Sequence, residues 1–212
     1  MNKTDSLLLI SIFFGIFGWA IWQLLRYSEN TVGKYSPLKI SRSYEISAFQ
    51  YFTKFDNLFF YYIGLGGLYL LSKVPDTFTT SVYLFDWRNS ASIIFISLLF
   101  LSLPSFYLYL DINYWYRTKN IKLIYYPESK IVEIDFPEKI YTLGEGDIKH
   151  IEVISSGGKI QFGYSIYSLK NGESFILTDR VPGTWAIREY FKKILVKFTE
   201  KRFPLIKSGS FV

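Results

Sequence analysis

The chain has 212 residues, of which 50% are apolar, 20% aromatic and 20% charged. Such content excludes a disordered or collagen-like chain, and the absence of cysteine excludes a disulfide framework, a thiolate metal site and a cysteine nucleophile. Twenty-four Lys and Arg against eighteen Asp and Glu leave +6, which fits either an anionic membrane surface or a solvated basic face.

A helix needs about 20 apolar residues to cross a hydrocarbon core of about 30 Å. Residues 6–25 supply 20 uncharged positions and residues 89–110 supply 22, while residues 57–72 supply only 16. Length alone leaves the middle run open between a buried helix and a short span. Charge favours the span. With three crossings, Arg26, Lys34, Lys39, Arg42 and Lys54 share a side with Arg117, Lys119 and Lys122, leaving Lys3, Lys73 and Arg88 opposite, as the retention of basic loops on the cytoplasmic side requires. The expectation is a transmembrane domain over residues 1–111, with helices at about 6–25, 57–74 and 89–110. Its N-terminus is outside and the loop 26–56 is cytoplasmic.

Trp19, Trp22, Trp87 and Tyr114-Trp115-Tyr116 fall near predicted span ends, where amphipathic rings settle. Gly18-Trp19-Ala20 is a poor cleavage site, so the first run reads as an uncleaved anchor. In the first loop, Ile46, Phe49, Phe52 and Phe55 recur every third residue. This pattern fits equally an interfacial amphipathic helix and an inward extension of the second span. No Asp, Glu, Lys, Arg or His interrupts the three runs, so the chain lacks the usual mark of an ion path or intramembrane catalyst. Gly15, Gly18, Gly64, Gly66 and Gly67 offer surfaces for close helix packing.

Beyond residue 111 the composition changes. Short apolar stretches separated by turn signals predict strands at 120–126, 130–136, 139–143, 147–155, 164–170 and 173–178. Asn171-Gly172 predicts a two-residue type I′ hairpin turn. After Thr184, Ile187, Phe191, Ile194, Leu195 and Phe198 recur at helical spacing opposite Arg188, Lys192, Lys197 and Lys201. They predict a C-terminal amphipathic helix with Thr184 as N-cap.

Six strands and one helix, carried by Lys122-Leu123-Ile124-Tyr125-Tyr126-Pro127-Glu128-Ser129-Lys130-Ile131-Val132, by Asp147-Ile148-Lys149-His150-Ile151-Glu152-Val153 and by Ser168-Leu169-Lys170-Asn171-Gly172-Glu173-Ser174-Phe175-Ile176-Leu177-Thr178, resemble the bacterial pleckstrin-homology-like membrane proteins. In these a transmembrane hairpin precedes a PH-like domain. The resemblance implies an α+β barrel or sandwich closed by a C-terminal helix over residues 117–203, with a tail at 204–212, in the bacterial cytoplasmic (inner) membrane. Two features depart from the pattern: the first span is an addition, and a seventh strand is visible only if residues 159–162 supply it.

A single histidine leaves little acid–base or metal chemistry. Strand alternation places Asp147 and His150 on opposite faces, and no nucleophile elbow, Walker loop or dinucleotide fingerprint is present. The sequence thus predicts no enzyme, no catalytic residue, no cofactor and no metal. Lys122 and Lys130 stand beside Glu128, Glu133 and Asp135, which argues against a tight inositol-phosphate pocket, and no basic stripe suits nucleic acid. Residues 184–212 carry seven Lys and Arg against Glu189 and Glu200. Six of them, Arg188, Lys192, Lys193, Lys197, Lys201 and Arg202, are candidate anionic-lipid contacts, the alternative being a solvated face. The expected function is a non-enzymatic, membrane-anchored module for protein interaction or assembly, its partners being the bilayer and a protein or a second copy. The alternatives are an anionic-lipid or small-ligand sensor, or an accessory subunit of a transporter, stress or toxin-immunity system.

Overall fold

The computed structural model describes residues 14–74, 87–157 and 162–206, apart from residues 16, 20, 23, 27 and 32. Most of the first predicted span therefore lies outside the described residues; those described between 14 and 31 are helical. The elements that follow are β1 (Arg42–Tyr44), α1 (Ala48–Phe52), α2 (Phe55–Ser72), α3 (Trp87–Thr118), β2 (Lys122–Tyr126), β3 (Ile131–Asp135), β4 (Ile140–Leu143), β5 (Ile148–Ser155), β6 (Gly163–Leu169), β7 (Ser174–Thr178), α4 (Trp185–Tyr190) and β8 (Leu195–Glu200). They divide between two compact units.

The first unit comprises Met1–Tyr44, Lys122–Asp147 and Gly183–Lys193. Its antiparallel sheet runs β1-β2-β3-β4. Alternation along β2 and β3 buries Leu123, Tyr125, Val132 and Ile134 on one face. From α4 and its C-cap, Ile187 and Phe191 are buried. Tyr125 closes the centre by donating to the Gly183 carbonyl at 2.8 Å and meeting Tyr44 edge-on at 5.9 Å. Gly183 has φ +85° and faces the Tyr44 ring, so the position has neither the backbone region nor the space for a side chain. The Asp147 carboxylate accepts the Gly144 amide at 2.7 Å, which makes 144–147 a self-capped turn.

The second unit comprises Glu45–Ile121, Ile148–Pro182 and Ile194–Val212. Its sheet runs β7-β6-β5-β8, with β8 parallel to β5 and the other pairs antiparallel. α2 and α3 pack antiparallel: Asn57 meets Asp111, Gly64 lies against Pro104, and Gly67 against Leu101. The last three turns of α3 share a core with this sheet. Tyr107, Leu110 and Tyr114 join Ile154, Phe162 and Tyr164, Thr118 and Thr178 share a 2.6 Å hydroxyl hydrogen bond, and Tyr114 donates to the Pro204 carbonyl.

Several expectations need correction. Among the described residues one helix, at Ser90–Thr118, is long and apolar enough to cross a membrane, so three transmembrane helices are not supported. α2 matches the second predicted run in place, but its Asp56, Asn57 and three tyrosines dilute its apolar character. The loop 26–56, assigned wholly to the membrane part, contributes β1 to the first sheet. Its stretch 44–55 is neither a continuous helix nor a plain extension of α2: Ser47 closes a capping box on α1, and the chain breaks at Thr53-Lys54 before α2 begins.

The predicted C-terminal helix is six residues long. It ends where Phe191 leaves the helical region at φ −113° and ψ 70°, and residues 195–200 form an edge strand. Leu-Val-Lys-Phe-Thr-Glu carries the β-branched residues of a strand, and its apolar positions fit a three-to-four spacing only because both faces contain one. The strand count is thus raised by β1 and β8, while residues 158–161 lie outside the described residues. The β6–β7 hairpin is also not type I′. Gly172 alone is left-handed (φ +91°), its amide bonds the Leu169 carbonyl, and Leu169 bonds Glu173; this is a type I turn with a G1 bulge.

Candidate functional site

The most unusual chemistry of the second unit is a buried polar cluster where α2 begins, α3 passes, and β7 ends. Arg180, two residues beyond β7, is only 8% exposed. Its Nη1 pairs with Asp56 Oδ2 at 2.6 Å, and its Nη2 donates to the Tyr107 hydroxyl at 2.8 Å and lies 3.7 Å from Asp111 Oδ1. Asp111 is fully buried, and its other oxygen accepts the Asn57 amide at 3.0 Å; that same amide donates to the Tyr51 carbonyl. The Tyr107 hydroxyl has one proton to offer Asn57 Oδ1 at 2.6 Å or Asp56 at 2.9 Å. Tyr51 donates to the Asp111 carbonyl, and the Lys54 ammonium to the Arg180 carbonyl.

The local sequence explains each position. α2 opens with Asp56 in its first turn, where a carboxylate suits the helix N-terminus. Antiparallel packing brings Asn57 level with Asp111, and Val181-Pro182 ends the strand run so that Arg180 turns inward at the same level. The buried Asp111 and Arg180 thus compensate one another, with the half-exposed Asp56 and the partly buried Lys54 at the rim of the cluster, as buried charge requires. Burial alone would disfavour the charged guanidinium, but Tyr107, Asp56 and Asp111 hold it above its ordinary pKa. Burial, reinforced by Asp111, pushes the Tyr51 hydroxyl well above its usual value. Arg180 Nε and Asp111 Oδ1 are left without a hydrogen-bond partner. The cluster fastens the helix hairpin to the end of β7; it has no nucleophile activated by a base, and among the described residues no group of three His, Asp or Glu could hold a metal.

Burial, then the Arg180 charge, pull the Lys54 ammonium down from 10.5 to about 8. Between those values the unfolded chain binds the proton more than the folded chain does, so stability rises with pH across the window. Thermal unfolding in detergent is expected to give a Tm that climbs from about pH 8 towards pH 10.5, and a flatter profile for Lys54→Met.

Sequence reasoning missed this cluster. Asp56 and Asp111 read only as flanks of apolar runs; that both lie at the same end of an antiparallel helix pair was the available signal, whereas nothing local marked Arg180. The six basic residues proposed from the C-terminal segment are all exposed, but they do not share a helix. Arg188, Lys192 and Lys193 belong to the first unit, and Lys197, Lys201 and Arg202 to the second, where Lys197 is 4.0 Å from Glu152. His150 lies on β5 with its Nε2 3.2 Å from the Ser168 hydroxyl.

A family model described as a PH domain matches residues 43–179, from β1 through the end of β7, including α2 and α3. No curated protein and no solved structure matches the chain.

Proposed function

The chain belongs to the PH domain family, whose members serve as protein or lipid interaction modules, and from that premise we propose that it is a non-enzymatic module anchored in a membrane by its inserted helix hairpin. The observation that carries this reading is the change of environment along α3. Its 32 residues make a rod of about 48 Å. From Phe95 to Phe106 the outer face of the helix is apolar, with Phe95, Leu98, Leu99 and Leu103 each more than half exposed, whereas from Tyr107 onward the inner face, through Tyr107, Leu110 and Tyr114, shares a core with the sheet and the outer face carries Tyr109 and Tyr116. Residues 87–106 alone span about 30 Å, the thickness of a hydrocarbon core.

In this reading α3 crosses the bilayer with α2 alongside, and its last turns continue into the second sheet unit as a rigid stalk. Leu58, Phe59, Tyr62, Leu65 and Leu68 of α2 are similarly exposed and face lipid. The basic residues of 26–54 and 117–122 favour a cytoplasmic side for both ends of the hairpin. The partner is a protein or a second copy that meets the module at the membrane surface. Extraction of membranes with alkaline carbonate is expected to leave the full chain in the pellet; its release into the supernatant would reject the anchor.

A further inference from the structure

We propose that Lys201, Arg202 and Phe203 form an anionic-lipid contact at the foot of the membrane stalk, a deepening that rests on the anchored reading above. β8 ends at Glu200, and the chain then turns onto α3: the Phe203 ring meets Phe106 edge-on at 4.9 Å. Two further attachments hold this segment beside the helix. Tyr114 donates to the Pro204 carbonyl at 2.8 Å, and Asn113 exchanges two hydrogen bonds with the Ile206 backbone, at 3.1 and 3.3 Å. Pro204 and Ile206 are buried while Lys201, Arg202 and Phe203 stay exposed, so the segment is anchored at one end and presents its charged end outward.

The level of the contact is what gives it meaning. Phe106 adjoins Tyr107, the first residue of α3 that enters the core shared with Ile154, Phe162 and Tyr164 of the second unit. In a bilayer that level is the headgroup region, where an aromatic ring with adjacent cationic side chains meets lipid phosphate. Among the described residues no acidic side chain forms an ion pair with Lys201 or Arg202, and Glu200, the neighbouring carboxylate, is turned onto Gly157. The Lys201 amide bonds the Ser155 carbonyl, which fixes the backbone and leaves its side chain to the lipid. The occupant is therefore the phosphate of an anionic lipid in the same leaflet as the sheets.

The test uses the full chain reconstituted in phosphatidylcholine bilayers containing a tenth phosphatidylglycerol, with the lipid retained on the protein counted by native mass spectrometry. The wild-type chain is expected to retain phosphatidylglycerol over phosphatidylcholine. With each charge worth on the order of fivefold near a membrane surface, Lys201→Gln/Arg202→Gln lowers that preference roughly 20-fold, and Arg188→Gln/Lys192→Gln/Lys193→Gln leaves it unchanged. Equal retention in the two variants, or displacement of the lipid by millimolar inorganic phosphate, overturns the site. A chain that resists carbonate extraction but shows no anionic preference overturns this contact alone; a chain that is extracted overturns the anchor and the contact together.

Discussion

Arg180→Met is expected to cost about 3–5 kcal/mol of stability, the penalty for removing one side of a buried ion pair. Asp111 would remain fully buried with its nearest cation removed and only the more distant Lys54 charge to offset it, and Tyr107 would lose the donor that Arg180 now supplies. Thermal or denaturant unfolding in a mild detergent measures the loss. The charge explanation makes a second demand: Arg180→Met combined with Asp111→Asn should cost less than the sum of the two singles by about 1–3 kcal/mol, because the second change removes the stranded charge. Arg180→Lys should lie between, since an ammonium lacks the planar fork that reaches Asp56 and Tyr107 together. A single-variant loss below about 1 kcal/mol would mean that the cluster is solvated in the working protein.

Gly183→Val in the first unit should cost about 2–5 kcal/mol, from a left-handed backbone that a β-branched residue resists and from overpacking against Tyr44. A Cβ at this position would lie 2.7 Å from the nearest Tyr44 ring carbon. Because β1 has only three residues, displacing Tyr44 should release it, and amide exchange should accelerate at Arg42–Tyr44 and on the facing β2 backbone. Gly183→Asn separates the two causes. Asparagine accepts positive φ, so a loss that persists in this variant belongs to the clash with Tyr44.

Much of the second half of the chain was legible in the sequence because alternating β-strands write their burial at period two. Predicted and observed bounds of β2 to β7 agree within about two residues for that reason. The third apolar run was legible as a helix because 22 uncharged positions admit little else. β1 was not, since Arg-Ser-Tyr is too short to show a period and its pairing with β2 reaches across both helices. The C-terminal helix was misread because a strand with one exposed apolar residue on each face imitates helical spacing: Leu195 and Phe198 are both 70% exposed.

The polar cluster illustrates a different limit. Asp56 and Arg180 are separated by 124 positions in the chain, and each alone is an ordinary flanking charge; only the fold makes them neighbours. The same holds for Lys201 and Arg202, whose charge was visible while their level on α3 was not. What the structure adds is therefore the relation between the hairpin and the sheet of the second unit, fixed by Arg180 from inside and by residues 203–206 from outside.

The central claim is that α3 crosses a membrane and that residues 34 and 119 share a side of it. The chain has no cysteine, so single cysteines can be placed without altering any native thiol. Lys34→Cys, Asp86→Cys and Lys119→Cys, each probed in intact cells with a membrane-impermeant maleimide, give the answer directly. The account predicts labelling of the residue-86 variant only, with the other two labelled once the membrane is opened. Labelling of positions 86 and 119 from the same side would contradict it.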